Sequence, residues 1–267
     1  MENRKVIYTT GFKAPVQKLG LEKATAWINY RYDYWCRYTR NSILNQTNSN
    51  WEYWLIVNED TLAILGEDRV NEITEDDRMK IVNRNNQIEA FKKAQGDYDF
   101  YMVLRLDSDD MYRKDVTDEM MNVDVFDEGE LYRYVQYTHG YIYKPRNKKL
   151  KKWWRKHMTP PFFAMIYPKD VWNNKIVNSD GGLFDGGHEQ VRNHKRKLLD
   201  EGKFCVGVHD LNMVTTIGKR EEIIDEEEKK AILSSFGIDY PESDFLEDDT
   251  HDIFDLIPGG WEKTKEE

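Results

Sequence analysis

Apolar positions along the chain fall into short runs separated by polar, turn-forming segments. The run "KVIYTT" (5–10) reads as a buried strand ending in turn chemistry. After a loop holding Pro15 and Gly20, the spacing of Tyr34, Trp35, Tyr38, Ile43 and Leu44 predicts a helix over 32–47. "WEYWLIVNED" (51–60) and "MKIVNRN" (79–85) read as second and third strands, and "NQIEAFKKAQG" (86–96) as a helix closed by Gly96. "DFYMVLRLDSDD" (99–110) is a fourth strand, apolar on both faces until it runs into carboxylates. Strands alternating with helices predict an α/β domain whose mostly parallel sheet is flanked by helices.

Beyond Tyr112 the pattern changes. "GELYRYVQYTHGYIY" (129–143) alternates and predicts an antiparallel hairpin, and "PFFAMIYP" (161–168) is a further strand. The glycine-rich "SDGGLFDGGHEQVRNHKRKLL" (179–199) reads as a loop opening a helix near His188, and "KFCVGVHDLNMVTT" (203–216) as the last strand of the body. "EEIIDEEEKKAILSSFG" (221–237) predicts an amphipathic helix in the tail.

Charge divides the chain in two. The net charge is −10, yet residues 219–267 hold 17 acidic and 6 basic residues, so the acidity belongs to the tail and the body is nearly neutral. We therefore expect a body domain over 1–218 and an acidic, partly helical extension over 219–267, which offers a surface for oligomerisation. Within the body, "KPRNKKLKKWWRK" (144–156) carries eight Lys or Arg and no acid. It reads either as a solvated face or as an anion-binding flap, with Trp153 and Trp154 favouring the flap. Two cysteines give no disulfide framework or zinc spacing, and no apolar run is long enough to span a membrane. The expectation is a cytoplasmic protein, compatible with peripheral membrane contact. The overall charge speaks against a nucleic-acid partner.

Asp107, Asp109 and Asp110 end the fourth strand, and ligands of parallel α/β sheets bind beyond such carboxyl ends. Three readings compete: a solvated turn, a calcium loop, and a metal–diphosphate site. The calcium loop lacks the EF-hand spacing and its distal Glu. In the third reading Asp107 and Asp109, one residue apart, project to one side of an extended segment and share a hard cation.

The surrounding series Ser42, Gln46, Asn58, Asn83, Ala94, Gly96, Tyr98 and Asp107–Ser108–Asp109 resembles the N-terminal half of family 2-type glycosyltransferases. With Arg31 before the first helix and a late "VHDLN", the pattern is most similar to the rhamnosyltransferase-like group, over about Val6 to Thr216. The resemblance implies a GT-A (nucleotide-diphospho-sugar transferase) fold: a Rossmann-like, mostly parallel sheet with a small antiparallel region. It implies a donor site of Asn58, Asn83, Arg84, Arg105, Asp107 and Ser108, and a manganese (or magnesium) ion held by Asp107, Asp109 and His209. It also implies Glu189 as the base that deprotonates the acceptor, Asp185 second to it, and His188 beside the acceptor. The expected partners are a nucleotide-diphosphate sugar and a glycan or other hydroxyl acceptor. The chain departs from the family by ending its second strand on Asn58–Glu59–Asp60 rather than two aspartates, and by carrying His188–Glu189 in place of an acidic pair. The rival readings are a metal-dependent nucleotidyltransferase and a non-enzymatic scaffold docking through its acidic tail.

Overall fold

The computed structural model describes residues 2–145, 148–154, 162–178, 188–199, 202–207 and 224–239. In chain order, strand β1 (Arg4–Phe12) leads through α1 (Val16–Leu19) into α2 (Leu21–Trp35), a π-helical turn at Cys36–Arg40, and α3 (Asn41–Leu44). There follow β2 (Trp51–Val57), α4 (Glu59–Ile73), β3 (Met79–Asn83), a 3-10 turn at Arg84–Asn86, α5 (Gln87–Lys93) and β4 (Phe100–Arg105). Next come β5 (Asp110–Tyr112), α6 (Val116–Asn122), the short pair β6 (Phe126–Asp127) and β7 (Glu130–Leu131), β8 (Tyr134–Tyr137), β9 (His139–Lys144) and β10 (Lys149–Trp154). The last elements are β11 (Phe163–Pro168), α7 (Lys169–Asn178), a 3-10 helix at His188–Asn193, β12 (Arg196–Leu199), β13 (Phe204–Gly207) and α8 (Glu226–Ser235).

The large sheet has the order β12-β8-β11-β4-β1-β2-β3, and within it β11 alone runs against its neighbours. Parallel pairing sets Thr9 beside Arg105, Phe12 beside Val57, and Val57 beside Asn83, so β1 to β4 all release the chain at one edge. Alternate residues of these strands serve two cores. Val6, Tyr8, Met102 and Leu104 pack with Ile28 and Trp35 of α2 and Met120 of α6. Ile7, Trp54, Tyr101 and Val103 pack with Phe91 of α5 and Trp172 of α7 on the other face. Trp172 stacks on Tyr101 at a centroid distance of 4.2 Å and meets Phe91 edge-on at 4.7 Å.

A second sheet, β10-β9-β13-β5, begins where the large one stops. The chain leaves β4 at Arg105, passes through Leu106–Asp109 and enters β5 at Asp110, so the acidic turn is one of the crossovers between the sheets. One face of this small sheet is covered by the tail: Ile224, Leu233, Phe236 and Ile238 are buried with Tyr34, Tyr38, Met111, Tyr143, Leu150 and Cys205. The part of the extension over 224–239 is thus packed on the body, while the expected boundary at 218 lies outside the described residues.

Several sequence expectations need correction. The helix expected from Tyr32 is α2 and begins at Leu21, because Ala24, Ile28, Tyr32 and Trp35 already form its buried stripe. Helix α4 was not expected; Gly66, at φ 70°, splits it into two helical pieces and breaks its periodicity. Helix α5 ends at Lys93 with Ala94 as its C-cap, and Gly96 instead donates its N–H to Tyr101 Oη at 3.1 Å. The alternating 129–143 segment is not a hairpin: β8 is fully buried inside the large sheet, and β9 pairs with β10 in the small one. The basic run is therefore largely a strand. The segment after His188 is a 3-10 helix followed by strand β12.

Two predictions follow from these joints. A Cβ at Gly207 would collide with the Asp109 carbonyl oxygen and crowd Tyr34 Oη, so Gly207→Ala is expected to cost about 1–3 kcal/mol in urea unfolding. Asp115 joins α6 to the start of β13 through Arg113 at 2.7 Å and Lys203 at 2.6 Å. Burial works against its charged form, but the hydrogen bonds from Arg113 and Lys203 outweigh it and hold the carboxyl well below the usual range. A depressed carboxylate contributes stability that is present above its unfolded pKa and lost as pH falls. Asp115→Asn should therefore unfold more readily than the parent at pH 7, with the gap closing below about pH 4, as followed by melting temperature.

Candidate functional site

The site is built from the turn after β4. Leu106 anchors it, donating its N–H to the Thr9 carbonyl at 2.9 Å, and Tyr112 Oη closes it by donating to the Arg105 carbonyl at 2.9 Å. Between these anchors the carboxylates are neutralised one at a time. Arg105 Nη2 donates to both oxygens of Asp107, at 2.9 and 3.0 Å. Asp109 is gripped by Arg31 of α2, whose Nη1 lies 3.2 Å from Oδ2 while Nη2 also meets Ser108 Oγ. Arg31 and Asp109 are only 12% and 10% exposed, and the guanidinium lies 5.3 Å from the Trp27 ring. Asp110 is buried in β5; burial, then the charges of Asp109 and Asp107, push its carboxyl well above the ordinary range.

The same edge continues along β1, β2 and β3. Asn58 caps α4, accepting the Thr61 N–H at 3.1 Å, and Asn83 accepts the Asn85 N–H at 2.9 Å. One residue beyond β1 stands Lys13, and one residue beyond β3 stands Arg84. Burial and then the charge of Arg84 lower the Lys13 pKa, and neither cation has a carboxylate partner among the described residues. Two cations close enough to repel, with no counter-charge between them, make a place for an anion. An open cleft lined by Glu2, Asp99, Phe100, Pro168 and Lys169 lies at the opposite edge of the sheet and contains none of these groups.

Of the residues expected from sequence, Asn58, Asn83, Arg84, Arg105, Asp107, Ser108 and Asp109 stand along this one carboxyl edge. Trp153, expected on a flap, is instead a core residue: it is 9% exposed and packs edge-on against Phe204 at 5.4 Å. The Trp154 side chain lies outside what is described. His188 and Glu189 open the 3-10 helix, which seats Val191 in the core beside Tyr134 and Phe163. Their side chains, and Asp185 and His209 altogether, lie outside the described residues. Among the described residues, no three His, Cys, Asp or Glu side chains are gathered as a metal-holding group.

Three groups had no site role in the sequence reading. Arg31 is 78 residues from the carboxylate it grips, a separation that periodicity does not bridge. Asp110 reads in sequence as the end of the fourth strand but instead starts β5. Lys13 was the most accessible of the three, since a lysine immediately past a strand belongs to the same edge as Asn58 and Arg84.

No family model matches the chain, and no curated protein matches it. Among solved structures, it is similar to S. aureus TarS 1–349 in complex with UDP, with 14% identity, a TM-score of 0.43, and coverage of 76% of this chain and 60% of that one. It is also similar to the glycosyltransferase GlyE of Streptococcus pneumoniae, at 12% identity and a TM-score of 0.35, covering 74% of this chain and 45% of the other. A third likeness is to 4-diphosphocytidyl-2C-methyl-D-erythritol synthase of Anaerococcus prevotii, at 11% identity and a TM-score of 0.33, covering 74% and 87%. The chain thus spans less than two thirds of the length of the first two. Likenesses this distant say nothing about its substrate.

The Arg31–Asp109 pair makes a direct prediction. Arg31→Met should lower stability by about 3 kcal/mol in denaturant, because it removes one member of a nearly buried ion pair. Adding Asp109→Asn should recover part of that loss, and strict additivity of the two would disprove the coupling.

Proposed function

We propose that the chain transfers a sugar from a nucleotide-diphosphate sugar to an acceptor hydroxyl with inversion at the sugar. The observation that carries this reading is the carboxyl edge itself. Along it, Lys13 and Arg84 supply positive charge without a carboxylate partner among the described residues, and Asp107 and Asp109, each paired with an arginine, supply carboxylate oxygens. Such an edge suits a ligand that carries a diphosphate and brings a divalent cation with it.

The donor set fits manganese or magnesium. Asp107 and Asp109 offer hard oxygens, Asp107 is 42% exposed, and Gly207, two residues before His209 in the chain, abuts the Asp109 backbone. Asp107, Asp109 and His209 would hold the ion, which when bound neutralises charge on the departing nucleotide diphosphate. The chain's own groups do the rest. Lys13 and Arg84 bind phosphate oxygens, and Asn58, Asn83 and Ser108 orient the donor through polar groups at the strand ends. Arg105 holds Asp107 in place. Glu189 takes the acceptor proton, with Asp185 second to it and His188 beside the acceptor. Trp153, which packs the core against Phe204, is given no acceptor-binding role in this reading.

The test is to incubate the full chain with manganese and a panel of nucleotide sugars, reading both melting temperature and released products. Free nucleoside diphosphate supports sugar transfer; pyrophosphate would replace it with nucleotidyl transfer. No stabilisation by any nucleotide, with or without manganese, would leave the scaffold reading. Asp109→Asn should remove the manganese-dependent part of the shift, and Lys13→Met should weaken nucleoside-diphosphate binding about tenfold. Glu189→Gln should still bind donor but lose transfer by about a hundredfold or more.

A further inference from the structure

Arg105 Nη1 and Gln136 Nε2 are two of the buried hydrogen-bond donors on the large sheet that have no acceptor among the described residues. They stand in one row. Leu104 pairs with Ala164 and Ala164 with Val135, so one step further along the sheet Arg105, Phe163 and Gln136 lie side by side on β4, β11 and β8. They also share a face. Val103, Met165 and Tyr134, each two residues from a member of the row along its own strand, pack together in one core, while Leu104, Ala164 and Val135 belong to the other.

Gln136 is only 1% exposed, and an amide sealed so far from water ordinarily finds a partner. Its row lies near the end of the sheet: Arg105 ends β4, Phe163 begins β11, and Gln136 is the penultimate residue of β8. The 3-10 helix that begins at His188 packs on the same face through Val191. With strands about 4.8 Å apart, the backbones of Arg105 and Gln136 are separated by about 10 Å, with Phe163 between them on the same face.

We propose that Gln136 Nε2 and Arg105 Nη1 form a hydroxyl-binding subsite for the sugar ring of the donor, a reading that rests on the proposed sugar transfer. The chemistry favours a neutral ligand. Arg105 already shares its charge with Asp107 through Nη2, and the Gln136 amide is uncharged, so the pair presents donors without net charge. Sugar hydroxyl oxygens accept from such donors, whereas the phosphates fall to the Lys13 and Arg84 end of the same edge. Gln136 is thereby a specificity-determining residue for the transferred sugar, set apart from the residues that bind the nucleotide.

The experiment compares the full wild-type chain with Gln136→Leu, which removes the donor at nearly constant volume. Binding of UDP, GDP and dTDP is measured by calorimetry against UDP-glucose, GDP-mannose and dTDP-rhamnose. The expected result is an unchanged Kd for the nucleoside diphosphate and a Kd about tenfold weaker for the matching nucleotide sugar. Without ligand, Gln136→Leu should melt at or above the wild-type temperature, because a buried donor with no partner is replaced by an apolar group. A clear fall in that temperature would mean the amide already has a structural partner, and would overturn the inference. Equal weakening for diphosphate and sugar forms would overturn it too. If wild type prefers the nucleotide sugar and Gln136→Leu keeps that preference, the inference falls while sugar transfer stands. If wild type binds none of the nucleotides, the proposed function falls and takes this subsite with it.

Discussion

Carboxylates crowded at one turn that passes between the two sheets impose the constraint on which the site depends. Asp107, Asp109 and Asp110 fall within four residues, and left as free anions they would drive the crossover apart. Each is handled differently. Asp107 is paired by the arginine at the end of its own strand, and Asp109 by an arginine brought in on α2. Asp110 is pushed toward its neutral form inside β5. Removing charge locally in this way lets the chain turn sharply, and the turn fixes β5, hence the whole second sheet, relative to the first.

The same crossover explains why glycine is needed at Gly207. Strand β13 pairs with β5 through Cys205 and Met111 and runs on until its backbone touches Asp109. No side chain fits in that contact. The outer face of the small sheet is then covered by α8, so the acidic extension contributes Leu233 and Phe236 to a core that the body shares. Acidic residues of that helix lie near basic residues of β10, with Lys152 Nζ 3.6 Å from Glu228. The opposite charges of tail and basic strand, read separately in sequence, meet here. At these exposures the pair itself contributes little energy; the apolar contacts beneath hold the helix.

Local sequence made the parallel half of the fold legible. "KVIYTT", "WEYWLIV", "MKIVN" and "FYMVLR" are apolar on both faces because both faces are covered, and that pattern survives without knowledge of partners. Elements whose partners are distant were misread. Tyr134–Tyr137 looked like a hairpin arm, but its neighbours are β11 and β12, 26 or more residues further on. Lys149–Trp154 looked like a flap because lysines dominate it, yet Leu150 and Trp153 are the positions that decide its placement. Site residues divided along the same line. Those at strand ends could be assigned to one edge from sequence, whereas Arg31 could not, because its role exists only once α2 is laid against the turn.

This division bears on how the edge works. A strand end can supply a ligand group without any help from sequence neighbours, since the parallel register brings Phe12, Val57 and Asn83 level whatever lies between them. Charge balance is different: it is set across elements, by Arg31 for Asp109 and by the mutual repulsion of Lys13 and Arg84. The edge is therefore polarised along its length, with carboxylates answered by arginines near β4 and, among the described residues, cations without carboxylate partners near β1 and β3. A ligand that is anionic at one end and neutral, hydroxyl-rich at the other would match that gradient in a single orientation. Orientation is the larger part of what a transfer reaction asks of its scaffold, because holding the reacting groups in line replaces the entropy of a chance encounter.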